Sequence, residues 1–126
     1  VLDLEPFPAL LVSVDVTGAA LTLTGELDHV SAHLLDDVPP VLAHGPVPAW
    51  TVDARAVTFC DVGGLRALLG IRAQARLAGK DFRLLGASRC LSRLIALADL
   101  PDALVVEPGR PGERAAERLA RPPREA

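Results

Sequence analysis

The stretch WTVDARAVTFCDVGGLRALL, residues 50–69, changes its periodicity halfway along. Trp50 and Val52 read as a short buried strand that stops at Asp53, with Ala54, Arg55 and Ala56 carrying the chain over the edge of a sheet. Val57, Thr58, Phe59 and Cys60 then lead into Asp61-Val62-Gly63-Gly64, after which Leu65, Leu68 and Leu69 open a helical apolar stripe. A strand thus hands over to a helix N-terminus through a loop carrying one acid and two glycines.

Upstream, residues 1–9 hold Pro6 and Pro8 and read as an extended lead-in. Leu10, Val12, Val14 and Val16 alternate with polar or small residues at period two, the pattern of a half-buried strand. Thr17-Gly18 supplies a turn, and Leu21 and Leu23 alternate with Thr22 and Thr24 in a second strand, so the pair predicts a hairpin. Gly25-Glu26-Leu27-Asp28 closes it, with Asp28 as a turn acid, a helix cap or a recognition residue. Ser31 is the expected N-cap of a helix whose stripe is Leu34, Leu35, Val38, Val41 and Leu42. Pro39-Pro40 lacks amide donors, which predicts a kink, or a helix that ends near Val38 and restarts at the prolines.

Downstream, the central helix runs over about 63–78 and is closed by Gly79, with Leu65, Leu68, Leu69 and Ala75 toward the core. Gly70 and Ile71 fall to the side and leave an apolar patch partly open. Residues 81–86 read as a strand with its turn signal, and Ser88 as the N-cap of a helix bearing Leu91, Leu94, Ile95 and Ala98. Leu100-Pro101 breaks that helix, residues 103–106 form a last strand, and the proline- and arginine-rich segment 107–126 is expected to be disordered or a frayed helix. A hairpin followed by alternating helices and strands predicts an α/β fold with a mixed sheet over residues 10–106. It also predicts that Asp28 and Asp53 reach the same edge as the Asp61 loop.

Composition narrows the function classes. A chain of 126 residues suits one domain, and with one Trp, three Phe and no Tyr its core must be built from Leu, Val and Ala. No apolar run spans a membrane, residues 1–11 lack a signal peptide's pattern, and a soluble cytoplasmic protein is the expectation. The start at Val1 fits a trimmed or processed chain, or translation from a valine-type codon. A net charge of −3 gives no basic footprint for nucleic acid. Cys60 and Cys90 lack CxxC spacing, so no zinc site is expected; they read as small buried hydrophobes in a reducing compartment, with a redox pair as the alternative. His29, His33 and His44 read as solvated surface residues, since no third ligand joins the i, i+4 pair.

The order strand, Thr58-Phe59-Cys60-Asp61, then Gly64-Leu65-Arg66-Ala67-Leu68-Leu69 at a helix start, resembles the signature of the STAS domain. This is the module of bacterial anti-sigma factor antagonists and of sulphate-transporter tails, and Gly25-Glu26-Leu27-Asp28 is similar to the pattern that closes its second strand. In regulated members an aspartate precedes a phosphorylatable Ser or Thr, a small residue and Gly-Leu. Asp61 falls on that aspartate, Gly63-Gly64-Leu65 on the remainder, and Val62 on the phosphoacceptor. Val62 has no hydroxyl. The resemblance implies a STAS-like mixed sheet with helices packed on it, and a partner-switching, transcription-regulating role without catalysis or cofactor. It also implies an anti-sigma factor or serine kinase-like partner, contacted through Asp28, His29, Asp61, Val62, Gly63, Gly64, Arg66, Ala67 and Gly70. That contact would escape the phosphate that, in relatives, adds about two negative charges to the loop.

Three acids at strand ends would suit a metal-dependent phosphoacceptor of the receiver type, but the only lysine, Lys80, stands at a helix end rather than on a late strand. No catalytic triad order, nucleophile elbow or phosphate-binding glycine loop is present. A small-ligand sensor whose pocket is lined by Asp28, Asp61 and Gly63 is the competing class, and a degenerate scaffold forming a homodimer is the third.

Overall fold

A computed structural model of the chain describes residues 9–98 and 106–107. The expected lead-in before Ala9, the break at Leu100-Pro101 and the C-terminal tail beyond Glu107 lie outside the described residues, as does most of the expected last strand; Glu107, expected to begin the tail, belongs to that strand. β1 (Leu10–Asp15) and β2 (Ala20–Leu27) form the predicted antiparallel hairpin. A 3₁₀ turn (Ala32–Leu35) and α1 (Val38–Leu42) lead to β3 (Ala49–Cys60), α2 (Val62–Leu77), β4 (Asp81–Leu85), α3 (Arg89–Leu97) and β5 (Val106–Glu107). The sheet order is β1-β2-β3-β4-β5, antiparallel in its first pair and parallel thereafter, which is the mixed sheet expected from the sequence. Because each crossover from β2 onward steps one strand in the same direction, right-handed connection puts the helices on one face. Trp50, Val52 and Ala54 of β3 meet Leu65, Leu68 and Ile71 of α2 in one cluster with Leu21, Leu23, Leu84 and Leu91. Each large apolar side chain buried there contributes about 1.5–3 kcal/mol.

The sequence reading ended the central strand at Asp53, and the structure corrects this. β3 continues to Cys60, because β2 keeps pairing with it through Leu27↔Cys60 after β4 has left at Asp53↔Leu85. Two bulges make the difference. Thr22↔Asp53 is followed by Thr24↔Ala56, and Gly25↔Val57 by Glu26↔Phe59, so β3 carries one extra residue each time. Each extra residue flips the following side chains to the other face, and the lost alternation imitates a strand end. Asp53 therefore lies within the strand rather than at the loop edge. It is buried, and its carboxylate is held by Arg55, with Oδ2 accepting from Nη2 at 2.7 Å and Oδ1 from Nε at 3.0 Å.

Smaller corrections follow from the same packing. Val14 and Val16 are exposed, because β1 is the edge strand and burial on it is confined to Leu10 and, in part, Val12. Ile71 is buried, since the inward stripe of α2 runs through Gly64, Leu68, Ile71 and Ala75, leaving Leu69 at its margin. The prolines act as expected: the helix breaks before Val38 and restarts with Pro39 and Pro40 in its first turn, where missing amides cost nothing. Gly79 takes φ +73° after α2, and Ser88 caps α3 by accepting from Leu91 N at 3.2 Å. Lys80 is structural, donating from Nζ to the Gly45 carbonyl at 2.8 Å.

Candidate functional site

The Asp61 loop is assembled by short-range geometry that starts with two glycines. A Cβ on Gly64 would collide with the Leu27 carbonyl at the end of β2, and one on Gly63 would stand 2.6 Å from the Cβ of His29. Only with both side chains missing can the first turn of α2 press against the segment after β2. That approach brings Asp61 to His29 across 32 positions of sequence. Asp61 takes an extended conformation as the N-cap, with Oδ1 accepting from Gly64 N at 2.9 Å. Its Oδ2 accepts from His29 N at 3.1 Å and from His29 Nδ1 at 2.9 Å. These bonds, the one to the imidazole first, hold the Asp61 carboxyl at about 2, and they raise His29 above its ordinary value.

Asp28 is the second anchor. Its Oδ1 accepts from Val30 N at 3.0 Å, Ser31 N at 2.8 Å and Ser31 Oγ at 3.0 Å, which lowers its pKa. Ser31 was expected to cap the next helix; its side chain makes no such bond. Instead its buried hydroxyl accepts from Asp28 N at 3.0 Å and lies 2.9 Å from the Glu26 carbonyl, bracing the turn that carries His29. His33 donates from Nδ1 to Val30 O at 2.7 Å. The expectation of solvated histidines therefore holds for the exposure of all three, while the rings of His29 and His33 are also hydrogen-bonded.

Upon this frame stands Val62, the first residue of α2, with 55% of its surface exposed. Val30 and Phe59, on the two segments flanking the His29–Asp61 contact, are exposed as well. The loop thus offers apolar side chains over a hydrogen-bonded polar base. Asp53 does not join it, and among the described residues no three His, Cys, Asp or Glu side chains converge as a metal set. The receiver-type reading loses the acid it required.

Of the residues predicted for partner contact, Asp28, His29, Asp61, Val62, Gly63 and Gly64 come together here, Gly64 as buried backbone. Arg66 and Gly70 follow Val62 at i+4 and i+8 along the same exposed face of α2, and with Ala67 they also line a groove of about 710 Å³ between α1 and α2. The sequence hinted at that groove through the apolar patch expected beside Gly70, but not at its floor, Trp50. Cys60 and Cys90 are free thiols, with Cys90 Sγ 3.4 Å from Cys60 N, and burial pushes the Cys60 thiol up to about 12.

The family model described as "Mlab, STAS domain" matches residues 12–107, most of the chain and all of the loop just described. The chain belongs to the STAS-domain family. Among solved structures, this STAS domain is similar to an anti-sigma factor antagonist from Mycobacterium paratuberculosis, with TM-score 0.66 and 23% identity over 83% of this chain and 92% of that one. It is also similar to the unphosphorylated anti-sigma factor antagonist SpoIIAA, with TM-score 0.61 and 19% identity over 79% of this chain and 88% of that one. At these identities the likeness is one of fold. No curated protein matches the domain by sequence. No helix among the described residues is long and apolar enough to cross a membrane.

Proposed function

We propose that this STAS domain is a protein-binding regulatory module that engages an anti-sigma factor or kinase-type partner through its Asp61 loop, with no phosphate switch at residue 62. The observation that carries the reading is Val62: exposed, at the mouth of α2, on the frame that Asp28, His29 and Asp61 hold rigid. A side chain without a hydroxyl accepts no phosphate, and its partly exposed methyl groups supply apolar contact to an incoming surface. The contact is then constitutive, governed by partner abundance rather than by phosphorylation.

The test is co-purification and phosphotransfer with the kinase-type anti-sigma factors of the source genome. The wild-type domain binds one of them and stays unlabelled, Thr58 included, whereas Val62→Ser binds and becomes labelled at residue 62. Labelling of the wild-type domain at Thr58 with loss of the complex overturns the unswitched contact.

A further inference from the structure

The chain has two cysteines, 30 positions apart, and the fold brings them into contact. Cys60 ends β3, and Cys90 is the second residue of α3. The ladder between β3 and β4 stops at Asp53↔Leu85, so among the described residues the edge of β3 at Cys60 is met by the first turn of α3 rather than by a strand. There Cys90 Sγ lies 3.4 Å from Cys60 N and 3.6 Å from Cys60 O. A sulfur touching both polar main-chain atoms of the other cysteine keeps the two Cα atoms within roughly 7 Å, the limit beyond which a bridge needs backbone movement. The Cys60 sulfur has to turn only from the Asp61 carbonyl, which it meets at 3.4 Å.

The two thiols differ in access. Cys60 is 4% exposed, and the same burial that pushes its thiol up to about 12 shields it from oxidants in solution. Cys90 is partly exposed and opens on a cavity of about 440 Å³ whose rim carries Thr58, Arg89, Arg93 and Leu97. Two of the described lining residues are cationic and none is acidic, the electropositive, partly open setting in which reactive thiols occur. An oxidant therefore reaches Cys90 first. Cys60 stands behind it as a second sulfur that solvent does not consume.

We propose that Cys60 and Cys90 are a reversible thiol–disulfide pair, in which a hydroperoxide oxidises Cys90 and Cys60 resolves the product. The Cys90 sulfur takes one oxygen of hydrogen peroxide; the O–O bond breaks, and the other oxygen leaves with the thiol proton as water. The Cys60 sulfur then attacks the sulfenic acid so formed; the S–O bond breaks, and hydroxide leaves with the Cys60 proton as a second water. The disulfide ties α3 to the end of β3, one residue before the Asp61 cap. In a reducing compartment such a bond is transient, undone by a dithiol. The pair stands whether or not the partner reading holds.

The test treats the reduced, folded full chain with stoichiometric hydrogen peroxide, alkylates it and measures its intact mass. The product should be a monomer lighter by two hydrogens with no thiol left to alkylate, and peptide mapping should join Cys60 to Cys90. Dithiothreitol should restore both thiols. Cys60→Ala should stop at the sulfenic acid, trapped by dimedone on Cys90, whereas Cys90→Ser should leave Cys60 unmodified at the same dose. The oxidised chain should unfold at a higher temperature than the reduced one, because the bridge closes a long loop. A wild-type chain whose thiols stay free, or which gives only disulfide-linked dimers, overturns the proposal, and this arm needs no variant to fold. Dimedone trapped on Cys60 in Cys90→Ser as readily as on Cys90 in Cys60→Ala also overturns it, as does a bridge that lowers the unfolding temperature.

Discussion

The two ends of α2 are built on opposite terms. At its N-terminus, around Asp61, the polar groups that hold the loop find partners, and the glycines there are imposed by contact with Leu27 and His29. Further along, around Gly70, a glycine lacks any packing reason and a buried indole N–H lacks an acceptor. One end is finished within the chain. At the other, the described residues supply neither a close neighbour for the glycine nor an acceptor for the indole. The contrast separates two surfaces, a hydrogen-bonded platform whose exposed tip is Val62 and a mostly apolar groove lined by α1 and α2.

Glycine substitutions should break this comparison most sharply, because their signs should differ. Gly64→Ala drives a methyl group into the Leu27 carbonyl and should destabilise the domain by about 3 kcal/mol, read from urea denaturation. If it is tolerated, the platform is not tightly fixed. Asp61→Ala removes an N-cap and both bonds to His29, and should lose about 1–2 kcal/mol in the same measurement. Gly70→Ala should instead stabilise by about 0.5–1 kcal/mol, since the helix gains and nothing clashes.

The smallest effect sharpens the platform through pH. Asp61, ordinarily near 3.8 and here at about 2, contributes stability that is present above 3.8 and is lost as pH falls through about 2. His29, raised from 6.5, contributes stability that is complete below 6.5 and is lost as pH rises through its higher folded value. The urea midpoint of the wild-type domain should therefore decline from neutral into mildly alkaline pH, and in His29→Ala this decline should flatten. Its exposure makes the effect modest and salt-sensitive.

The element order, the hairpin, the proline restart, the caps at Gly79 and Ser88 and the Asp61 loop were all legible in the sequence, because each rests on neighbouring residues. What escaped it depends on registration between distant segments. The two bulges of β3 hid the second half of the strand and misplaced Asp53, since a flipped alternation is indistinguishable from a strand end until the partner strand is known. The His29–Asp61 bond links positions 32 apart and has no local signature. For the same reason the groove that α1 forms beside Arg66 and Gly70 could not be read from spacing along α2 alone.

The central claim is that Val62 is a contact point fixed in its unswitched state. Affinity of the purified domain for the proposed anti-sigma-type partner, wild type against Val62→Asp, tests this most directly, because the aspartate places a permanent negative charge at the position that in regulated relatives takes phosphate. The account predicts a loss of at least about tenfold with unchanged stability. Equal affinity of the two proteins would contradict it.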